Sequence, residues 1–550
     1  MELDRISNLP SNVTQQILSY LPIKDAGKTS MLSKDWRFKW AMLPSLVFDH
    51  EIDDVDSVDH VLLLHPGPIF SFKLSAQNIM DKSAINRWIR HLSRQPIRQF
   101  ILKGCYNFYS NRRPYDVSSS LFSCQDLTHL ELSDCSLRLP WTFNGFRMLR
   151  TLNIKRVTVA RDELEKMIVC SPLLERLTLR DLQGITRLKI HAPNLQFLKV
   201  RGDFEDVELT NTLNLVHVSL DRNRAHWRGD RLLNSCVKLP YIKRLTIEGC
   251  ILESATGSLP KELRRPCLYL NFLSINIRLN NLEEISTVMC LLRSSPALQE
   301  LEISVRQQYE EATTAREATP WLNDNQNWEF SKLQRVKVTG FSGAQAEVDF
   351  IKFLFLSSPA LQELEVSVYQ KDETVVGEVD YSWLNNDQNF AHTQLRLLKV
   401  TDFCGEVEFI KFLLLSSPAL QELHILFREN DHKNKIRNKW LDDAAMGDED
   451  NRNCTFTQLR VMNISGFFGA KAEVGFIRFL LTSSPMLERI TLQPASAKVP
   501  WEVSKLLNEF KSNSVHTNLK LLDPLNPSAD YHSRGSRCRT PLCSDYSCYD

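Results

Sequence analysis

Five basic residues stand at alternating positions of three successive hydrophobic segments, which begin at Leu149, Leu174 and Leu195. They are Lys155, Arg176, Arg180, Lys199 and Arg201. An arginine side chain makes bidentate contacts with a carboxylate or a phosphate, and a lysine adds a compact positive charge. One hypothesis is that these cations receive an acidic or phosphorylated protein segment, or a small anion. The competing interpretation is a solvated basic face whose charge Glu131 and Asp221 balance from the flanking segments.

The segments that hold these cations are copies of a repeated phrase, Leu-x-x-Leu-x-Leu, in which other apolar residues also replace leucine. Copies begin at Leu127, Leu149, Leu174, Leu195, Leu215, Ile242, Leu270, Leu298, Leu333, Leu361, Leu395, Leu420, Leu459 and Leu487, with weaker copies at Ile69 and Ile97. The starts lie 20 to 39 residues apart, which is typical of leucine-rich repeats, some of them stretched by insertions. Since side chains alternate along a strand, the third, fifth and seventh positions are predicted to share one face of the sheet. That face carries the five cations.

Repeats of this kind bury their apolar faces against their neighbours, so the sequence predicts an α/β fold. We expect a short N-terminal helical module followed by a leucine-rich-repeat solenoid, with a curved parallel sheet and helices on its convex side. The 550 residues are 43% hydrophobic and 24% charged, which is typical of globular proteins. A single compact core rarely grows this large, whereas a solenoid can.

Charge and hydropathy exclude several classes of protein. The net charge of +1 argues against nucleic-acid binding, and no apolar run is long enough to span a membrane. No secretory signal opens the chain, so its 13 cysteines indicate reduced thiols. We therefore expect an intracellular protein, in the nucleus, the cytoplasm or both, with no nucleic-acid or membrane partner.

The sequence offers no support for catalysis or metal binding. It has no phosphate-binding glycine-rich loop, no nucleophile elbow and no HExxH helix, and its 13 histidines are scattered. Cys538, Cys543 and Cys548 lack the closely paired spacing of zinc ligands. We predict no enzymatic activity, no cofactor and no metal.

The first 45 residues lack the repeat and are typical of a small helical module. Val13, Ile17, Leu18 and Leu21 share one face at helical spacing, and Pro22 ends that helix. A module of this size buries too little area to be stable alone. We expect it to dock on the repeats, on a partner, or on both.

The same residues carry a longer pattern, Leu9-Pro10-x-x-Val13-x-x-x-Ile17-Leu18-x-x-Leu21-Pro22-x-x-Asp25-Ala26, then Thr29-Ser30-x-Leu32-Ser33-Lys34-x-Trp36-Arg37. This pattern resembles an F-box of the plant type. The resemblance implies that the head docks on a Skp-family adaptor, which bridges to a cullin scaffold and a ubiquitin-conjugating enzyme. It also implies an adaptor-facing surface formed by Leu9, Pro10, Ile17, Leu18, Leu21, Pro22, Leu32, Ser33 and Trp36.

Two positions depart from that family's pattern, and a second interpretation of the head stays open. Gly27 stands where an aliphatic residue is usual, and Asn12 stands where an acid is usual. The competing interpretation is that the head only caps the open end of the solenoid.

The C-terminal half repeats a longer unit, from Leu333 to Leu364, from Leu395 to Leu423 and from Leu459 to Ile490. Each unit is predicted to contain a strand, a buried phenylalanine, an amphipathic helix, a Ser-Ser-Pro turn and a second strand. The unit resembles the FBD domain that follows leucine-rich repeats in plant F-box proteins. A partial fourth copy ends at Leu298, whereas that family normally has one such domain.

Polar insertions separate these units, and each contains a tryptophan: Trp321, Trp383 and Trp440. These are either hot spots for a partner or internal anchors that hold each insertion against the neighbouring repeat. On the predicted sheet face of this half, basic and acidic pairs alternate: Arg335 and Lys337, then Glu363 and Glu365. Such alternation favours cross-strand ion pairs.

These features predict domains at residues 1–45 (F-box), 46–270 (leucine-rich repeats), 271–515 (leucine-rich, FBD-like tandem units with polar insertions) and 516–550 (a disordered tail). The resemblance implies the substrate-recognition subunit of an SCF-type ubiquitin ligase, with an unknown protein substrate on the repeats. One alternative is a co-receptor that binds a hormone or an inositol phosphate in a pocket floored by the five cations. Another is a scaffold that binds the adaptor without promoting degradation.

Overall fold

The structure is a computed structural model that describes residues 9–48, 54–75, 81–104, 114–222, 232–237, 239–254, 263, 265–306, 328–342, 344–368, 394–403, 410, 413–427, 455–467, 471–495 and 518–525. The chain divides into two compact units, Met1–Leu333 and Gln334–Asp550. This boundary differs from the predicted one between residues 270 and 271.

The N-terminal head consists of helix α1 (Ser11–Ser19), helix α2 (Ile23–Lys28) and two 3-10 turns, Thr29–Met31 and Trp40–Met42. A proline directly precedes each helix, and its carbonyl oxygen accepts a hydrogen bond of the first turn. Thr14 N donates to Pro10 O at 3.0 Å, and Ala26 N donates to Pro22 O at 2.9 Å. The predicted helical head is confirmed.

Parallel strands follow the head and form the main sheet of the first unit. They pair in the order β1 (Ser45–Phe48), β2 (Ser71–Ser75), β3 (Gln99–Lys103), β5 (His129–Ser133), β7 (Thr151–Lys155), β8 (Arg176–Arg180), β10 (Phe197–Arg201), β12 (His217–Arg222), β13 (Arg244–Gly249), β14 (Phe272–Ile277) and β15 (Glu300–Val305). Strand β1 precedes the first predicted copy of the phrase, at Ile69. The sheet is therefore one strand longer than the sequence predicts at this end.

Burial alternates along these strands because apolar and polar residues alternate in the phrase. In β8, Leu177 and Leu179 are buried, whereas Arg176, Thr178 and Arg180 are exposed or half-buried. We call the sheet surface that carries the third, fifth and seventh positions of each phrase the open face.

Helices and short strands connect the main strands of the first unit. The helices are α3 (Val55–Leu64), α4 (Lys82–Leu92), α5 (Arg161–Val169), α6 (Leu232–Val237), α7 (Ile251–Ser254) and α8 (Leu282–Arg293), with a 3-10 turn at Ser119–Ser123. Two small parallel sheets join β4 (Tyr115–Asp116) to β6 (Cys135–Ser136) and β9 (Arg187–His191) to β11 (Asp206–Thr210). Helix α5 packs against β9, and α6 packs against β11. Strands thus replace the predicted helices in two consecutive repeats.

A left-handed residue at the eighth position of the phrase ends six strands of the first unit. Its φ is positive at Gly104, Asp134, Arg156, Asp181, Gly202 and Gly249. At Gly249 an added Cβ would lie 1.9 Å from the backbone oxygen of Arg222, so only glycine fits there. Aspartate tolerates this backbone conformation better than most residues, and Asp134 and Asp181 occupy the same position in two other repeats.

The second unit contains strands β16 (Arg335–Phe341), β17 (Glu363–Val368), β18 (Leu397–Phe403), β19 (Glu422–Phe427), β20 (Val461–Phe467), β21 (Arg489–Pro494) and β22 (Asn518–Leu521), which pair in chain order. Helix α9 (Gln345–Ser357) joins β16 to β17, and α10 (Lys471–Ser483) joins β20 to β21. Phe341 and Phe467 are each the last residue of a strand that precedes a helix, and both are fully buried. The predicted strand–helix–strand order is observed in the first and third of these units.

Strand β22 corrects the predicted start of the C-terminal tail. It pairs with β21, with Arg489 opposite Asn518 and Leu492 opposite Leu521. The prediction of a disordered tail from residue 516 is therefore wrong for this strand. Residues 526–550 lie outside the described residues.

Candidate functional sites: an apolar head and a basic sheet face

The head exposes a group of large apolar side chains. Those that are at least two-fifths exposed are Ile17, Tyr20, Leu21, Met31, Leu32, Phe38 and Met42. Met31 is 88% exposed and Tyr20 is 80% exposed. Isolated apolar side chains are ordinary on a protein surface, but so many between residues 17 and 42 indicate an interaction site. We call this group the apolar head surface.

Two of the nine predicted adaptor-facing residues are buried inside the head. Leu18 has no exposed area, and Trp36 is 3% exposed with Lys39 Nζ 4.7 Å from its ring centroid. The prediction that these two face a partner is wrong, because they belong to the core of the head. The exposed members of the predicted set are Pro10, Ile17, Leu21, Pro22 and Leu32, and Leu9 and Ser33 are half-buried.

Sequence reasoning missed four residues of the apolar head surface: Tyr20, Met31, Phe38 and Met42. Each is a large apolar residue outside the stripe of buried positions in its segment. That mismatch was the available signal, because an apolar residue off the buried stripe needs a partner or stays in water.

The head is fixed to the first repeat through a buried histidine. His65 Nε2 lies 2.8 Å from Leu43 O, at the end of the head, and His65 Nδ1 lies 3.1 Å from Gly67 O. Burial lowers the pKa of His65, although the neighbouring carbonyl groups oppose that shift. At Gly67 an added Cβ would lie 3.2 Å from Met42 Cα, so the two segments are closely packed.

On the open face, all five predicted cations lie on the adjacent strands β7, β8 and β10. Lys155, Arg180 and Arg201 stand directly opposite one another in a row across the three strands. Lys199 stands opposite Thr178, and Arg176 stands opposite Phe197. We call these three strands the basic face.

Carboxylates flank Arg201, which is one of the five cations. Arg201 Nε lies 3.8 Å from Asp181 Oδ1 and 3.4 Å from Asp221 Oδ2. Burial raises the pKa of Asp221, and Arg201 opposes this shift. Glu131, the other carboxylate considered as a counter-charge, forms its salt bridge with Lys103 at 2.8 Å. Arg201 is therefore part of a local ion cluster, and the predicted balance by Glu131 is wrong.

Aromatic rings hold a second cation in place. The guanidinium of Arg176 stacks over Phe197 at 4.1 Å, and the Phe197 ring meets the His217 ring at 4.7 Å. Burial lowers the pKa of His217, and the charges of Arg244, Arg176 and Lys199 lower it further. Burial and the neighbouring cations therefore both disfavour the protonated form of this imidazole.

The open face of the second unit has the opposite arrangement. Arg335 Nε pairs with Glu363 Oε2 at 2.7 Å, and Lys337 Nζ pairs with Glu365 Oε1 at 2.7 Å. Both pairs connect residues directly opposite on β16 and β17. The predicted cross-strand ion pairs are confirmed at these positions.

Buried carboxylates elsewhere in the chain tie helices to loops. Glu284 has no exposed area and accepts hydrogen bonds from Arg278 Nε at 2.7 Å and Arg306 Nη2 at 2.9 Å. Glu347 accepts from Ser342 N at 2.6 Å and from the Ser342 hydroxyl at 2.9 Å. Each glutamate is the third residue of its helix and fixes the loop that follows the preceding strand. Because the hydrogen bonds of both glutamates are made to residues of the chain itself, we assign them a structural role.

A surface cavity of about 330 Å³ is lined by Arg278, Asn280, Asn281, Leu282 and Glu283. None of the five cations borders it, so it is not the pocket that the small-molecule hypothesis predicted. Among the described residues, no group of histidine, cysteine and carboxylate side chains is arranged to hold a metal ion. None of the described helices is long and apolar enough to cross a bilayer.

Three further predicted residues, Trp321, Trp383 and Trp440, lie outside the described residues. Their role as hot spots or as internal anchors stays a prediction.

Comparisons with known proteins cover both candidate sites. The F-box domain family model matches residues 6–48, and the model described as "FBD-associated F-box protein At5g56370, LRR repeats" matches residues 85–303. The F-box/FBD/LRR-repeat protein At1g13570 of Arabidopsis thaliana is 33% identical over an alignment of 393 residues, and the match covers 67% of this chain and 92% of that protein. The putative F-box protein At3g58860 of the same plant is 26% identical over an alignment of 431 residues, and the match covers 68% of this chain and 90% of that protein. The first match coincides with the head, and the second includes the basic face.

Proposed function

Because the chain belongs to the plant F-box/FBD/LRR-repeat family, we propose that it is the substrate-recognition subunit of an SCF-type ubiquitin ligase. The apolar head surface binds a Skp-family adaptor, and through it a cullin. The open face of the repeats binds a target protein. Such a complex works inside the cell, in the nucleus or the cytoplasm.

The apolar head surface is the observation that carries this proposal. A head this small exposes Tyr20, Met31, Leu32 and Phe38 even though it is already packed on the first repeat. If the head only capped the sheet, its apolar side chains would be turned toward β1, and these are not. Aromatic and methionine side chains of this kind are enriched at the centres of protein interfaces.

The mechanism is proximity rather than chemistry on this chain. A target held on the open face is kept close to the ubiquitin-conjugating enzyme, which raises the effective concentration of its lysines. The contact between His65 and Leu43 supports this role, because a head packed on the repeats does not swing freely. The chain itself makes and breaks no covalent bond.

The proposal is tested by binding of a purified plant Skp-family adaptor to the full chain. The variant Leu21→Asp/Leu32→Asp places charges on two exposed positions and leaves the buried Leu18 and Trp36 unchanged. We expect wild-type binding and a loss of at least about tenfold in the variant, because desolvated apolar anchors dominate interface energy.

A matched control is the variant Leu63→Asp/Trp141→Asp. Leu63 is 84% exposed and Trp141 is 92% exposed, and both lie outside the head. The control is expected to bind the adaptor like the wild type. An adaptor that fails to bind the wild-type chain would contradict the proposal and favour a head that only caps the repeats.

Ubiquitin transfer is tested separately from adaptor binding. The half-life of a captured target should shorten when the wild-type chain is expressed and stay unchanged with Leu21→Asp/Leu32→Asp. Unchanged half-life with the wild type would favour the scaffold alternative.

A further inference from the structure

Four polar side chains surround Thr178 at the centre of the basic face. Arg176 and Arg180 lie two residues away on the same strand and the same face, at about 6.6 Å along the chain. Asn153 and Lys199 stand directly opposite Thr178 on the neighbouring strands, about 4.8 Å away. Thr178 is therefore framed by three cations and one amide.

These groups have hydrogen-bonding capacity that the described part of the chain does not use. Arg180 Nε and Asn153 Oδ1 are shielded from solvent and have no hydrogen-bond partner among the described residues. Within the described part of the chain, neither Arg180 nor Lys199 forms a salt bridge, unlike Arg201 beside them. Buried polar atoms in folded proteins are normally paired, so unpaired ones at a surface indicate a bound partner or water.

Arg180 has a cation directly opposite it on each neighbouring strand. Arg180 stands between Lys155 and Arg201, and like charges directly opposite on neighbouring strands destabilise a sheet. The carboxylates near this row are taken up by Arg201. An anion bound over Thr178 would bring negative charge to Arg180 and Lys199, which form no salt bridge within the described part of the chain.

The charge count favours a phosphate over a carboxylate. A phosphate monoester carries a charge of about −1.5 to −2 and three acceptor oxygens at neutral pH. It can therefore engage Arg176, Arg180 and Lys199 together, whereas one carboxylate has a single charge. The contact with the Phe197 ring restrains the position of the Arg176 guanidinium, so this side chain loses less conformational freedom when it binds a phosphate.

We propose that the basic face around Thr178 binds the phosphate group of a phosphoserine or phosphothreonine in the captured protein. This inference rests on the proposed function, because it names the class of target that the receptor selects. A protein segment is favoured over a small molecule because Arg176 is exposed and the described cavity lies at other residues. Arg176 and Arg180 bind phosphate oxygens, and Lys199 supplies the third contact.

The test uses the full chain in complex with the adaptor and arrayed degenerate peptides with a fixed central residue. The central residue is phosphothreonine, phosphoserine, threonine or glutamate, and inositol hexakisphosphate and inorganic phosphate are measured in parallel. We expect phosphorylated peptides to bind at least about tenfold more tightly than their unphosphorylated matches, as charge-assisted hydrogen bonds predict. The variant Arg180→Gln/Lys199→Gln should lose this preference.

The second unit supplies the matched control, Arg335→Gln/Lys337→Gln. It removes two cations from the same kind of sheet face, but these two are already paired with Glu363 and Glu365. It is expected to keep the wild-type preference for phosphorylated peptides. Thermal unfolding of both variants checks that each is folded.

Three outcomes would overturn the proposal: equal binding of phosphorylated and unphosphorylated peptides, binding of inositol hexakisphosphate without any phosphopeptide, or loss of the preference in the control alone. Adaptor binding distinguishes this failure from failure of the proposed function. Arg180→Gln/Lys199→Gln should bind the adaptor normally, whereas Leu21→Asp/Leu32→Asp, assayed as the full chain without the adaptor, should lose adaptor binding and keep the preference for phosphorylated peptides.

Discussion

Two regions of the open face have the same strand backbone but opposite arrangements of charge. One is formed by β7, β8 and β10, and the other is formed by β16 and β17. In the second unit, each of Arg335 and Lys337 meets a glutamate directly across the strand pair. In the first unit, Arg180 meets Lys155 on one side and Arg201 on the other. The same repeat geometry therefore places opposite charges across the strands in one region and three cations in a row in the other.

The physical difference lies in cross-strand neighbours. Opposite charges on adjacent strands contribute about 0.2–1 kcal/mol per pair, and like charges destabilise by a similar amount. Arg180 has no such opposite-charge neighbour across the strands, because both residues directly opposite it are cations. An anionic ligand would therefore supply counter-charge on the first face, whereas the cations Arg335 and Lys337 of the second face are already paired within the fold.

Removing Arg201 should produce the largest effect. Arg201→Gln leaves Asp181 and Asp221 without their cation, and the Asp221 side chain is nearly buried. We expect about 1–3 kcal/mol of lost stability, the cost of leaving a buried charged group unsatisfied. Urea unfolding of the first unit measures it. Arg335→Gln, at an exposed pair, should cost at most about 1 kcal/mol.

The same variant has a pH dependence with a defined sign. Burial raises the pKa of Asp221 in the folded chain above its ordinary value, so its contribution to stability is full at acidic pH and is lost as the pH rises through the folded pKa. Without Arg201 the pKa of Asp221 rises further. The deficit of Arg201→Gln should therefore shrink as the pH falls toward the ordinary carboxyl value. A deficit independent of pH would assign the loss to packing.

Making the second face resemble the first should have an intermediate effect. Glu363→Lys/Glu365→Lys replaces two ion pairs by two like-charge contacts across β16 and β17. We expect a loss of about 1–2 kcal/mol, from the pair energies and the added repulsion. Glu363→Gln/Glu365→Gln separates the lost attraction from the new repulsion, and an unchanged urea midpoint in both would break the comparison.

Making the first face resemble the second should have the smallest effect, with the opposite sign. Arg180→Glu places a carboxylate between Lys155 and Arg201, where the wild type has a cation. We expect stabilisation by about 0.5 kcal/mol. The gain should decrease in 1 M NaCl, because salt screens exposed charges. A destabilised Arg180→Glu would mean that Arg180 serves the fold rather than a ligand.

The repeat phrase was sufficient to predict most of the first unit's sheet. The alternation of Leu177 and Leu179 with Arg176, Thr178 and Arg180 is a direct consequence of the strand period, and burial follows it. The position of all five cations on one face could be read in the same way. Strand β22 was missed because Asn518–Leu521 is short and lacks the leading Leu-x-x of the phrase.

The partners of those cations could not be read from the phrase. Asp181 follows β8 with φ of 52°, so its direction is set by a left-handed turn and not by the strand period. In the head, helical spacing placed Leu18 and Ile17 on one predicted surface, yet Leu18 is buried and Ile17 is 44% exposed. A small module has too few residues for spacing alone to decide which side meets its own core.

Because the head is packed on the first repeat, the number of strands between the head and the basic face determines the distance between them. Five strand-to-strand steps separate β1, which directly follows the head, from β8, which carries Thr178. At about 4.8 Å per step this is about 24 Å along the sheet. Adding or deleting one repeat before β8 changes that separation by one whole step and no less. If the chain acts as the proposed ligase receptor, the number of repeats ahead of the basic face sets, in discrete increments, which target lysines lie within reach.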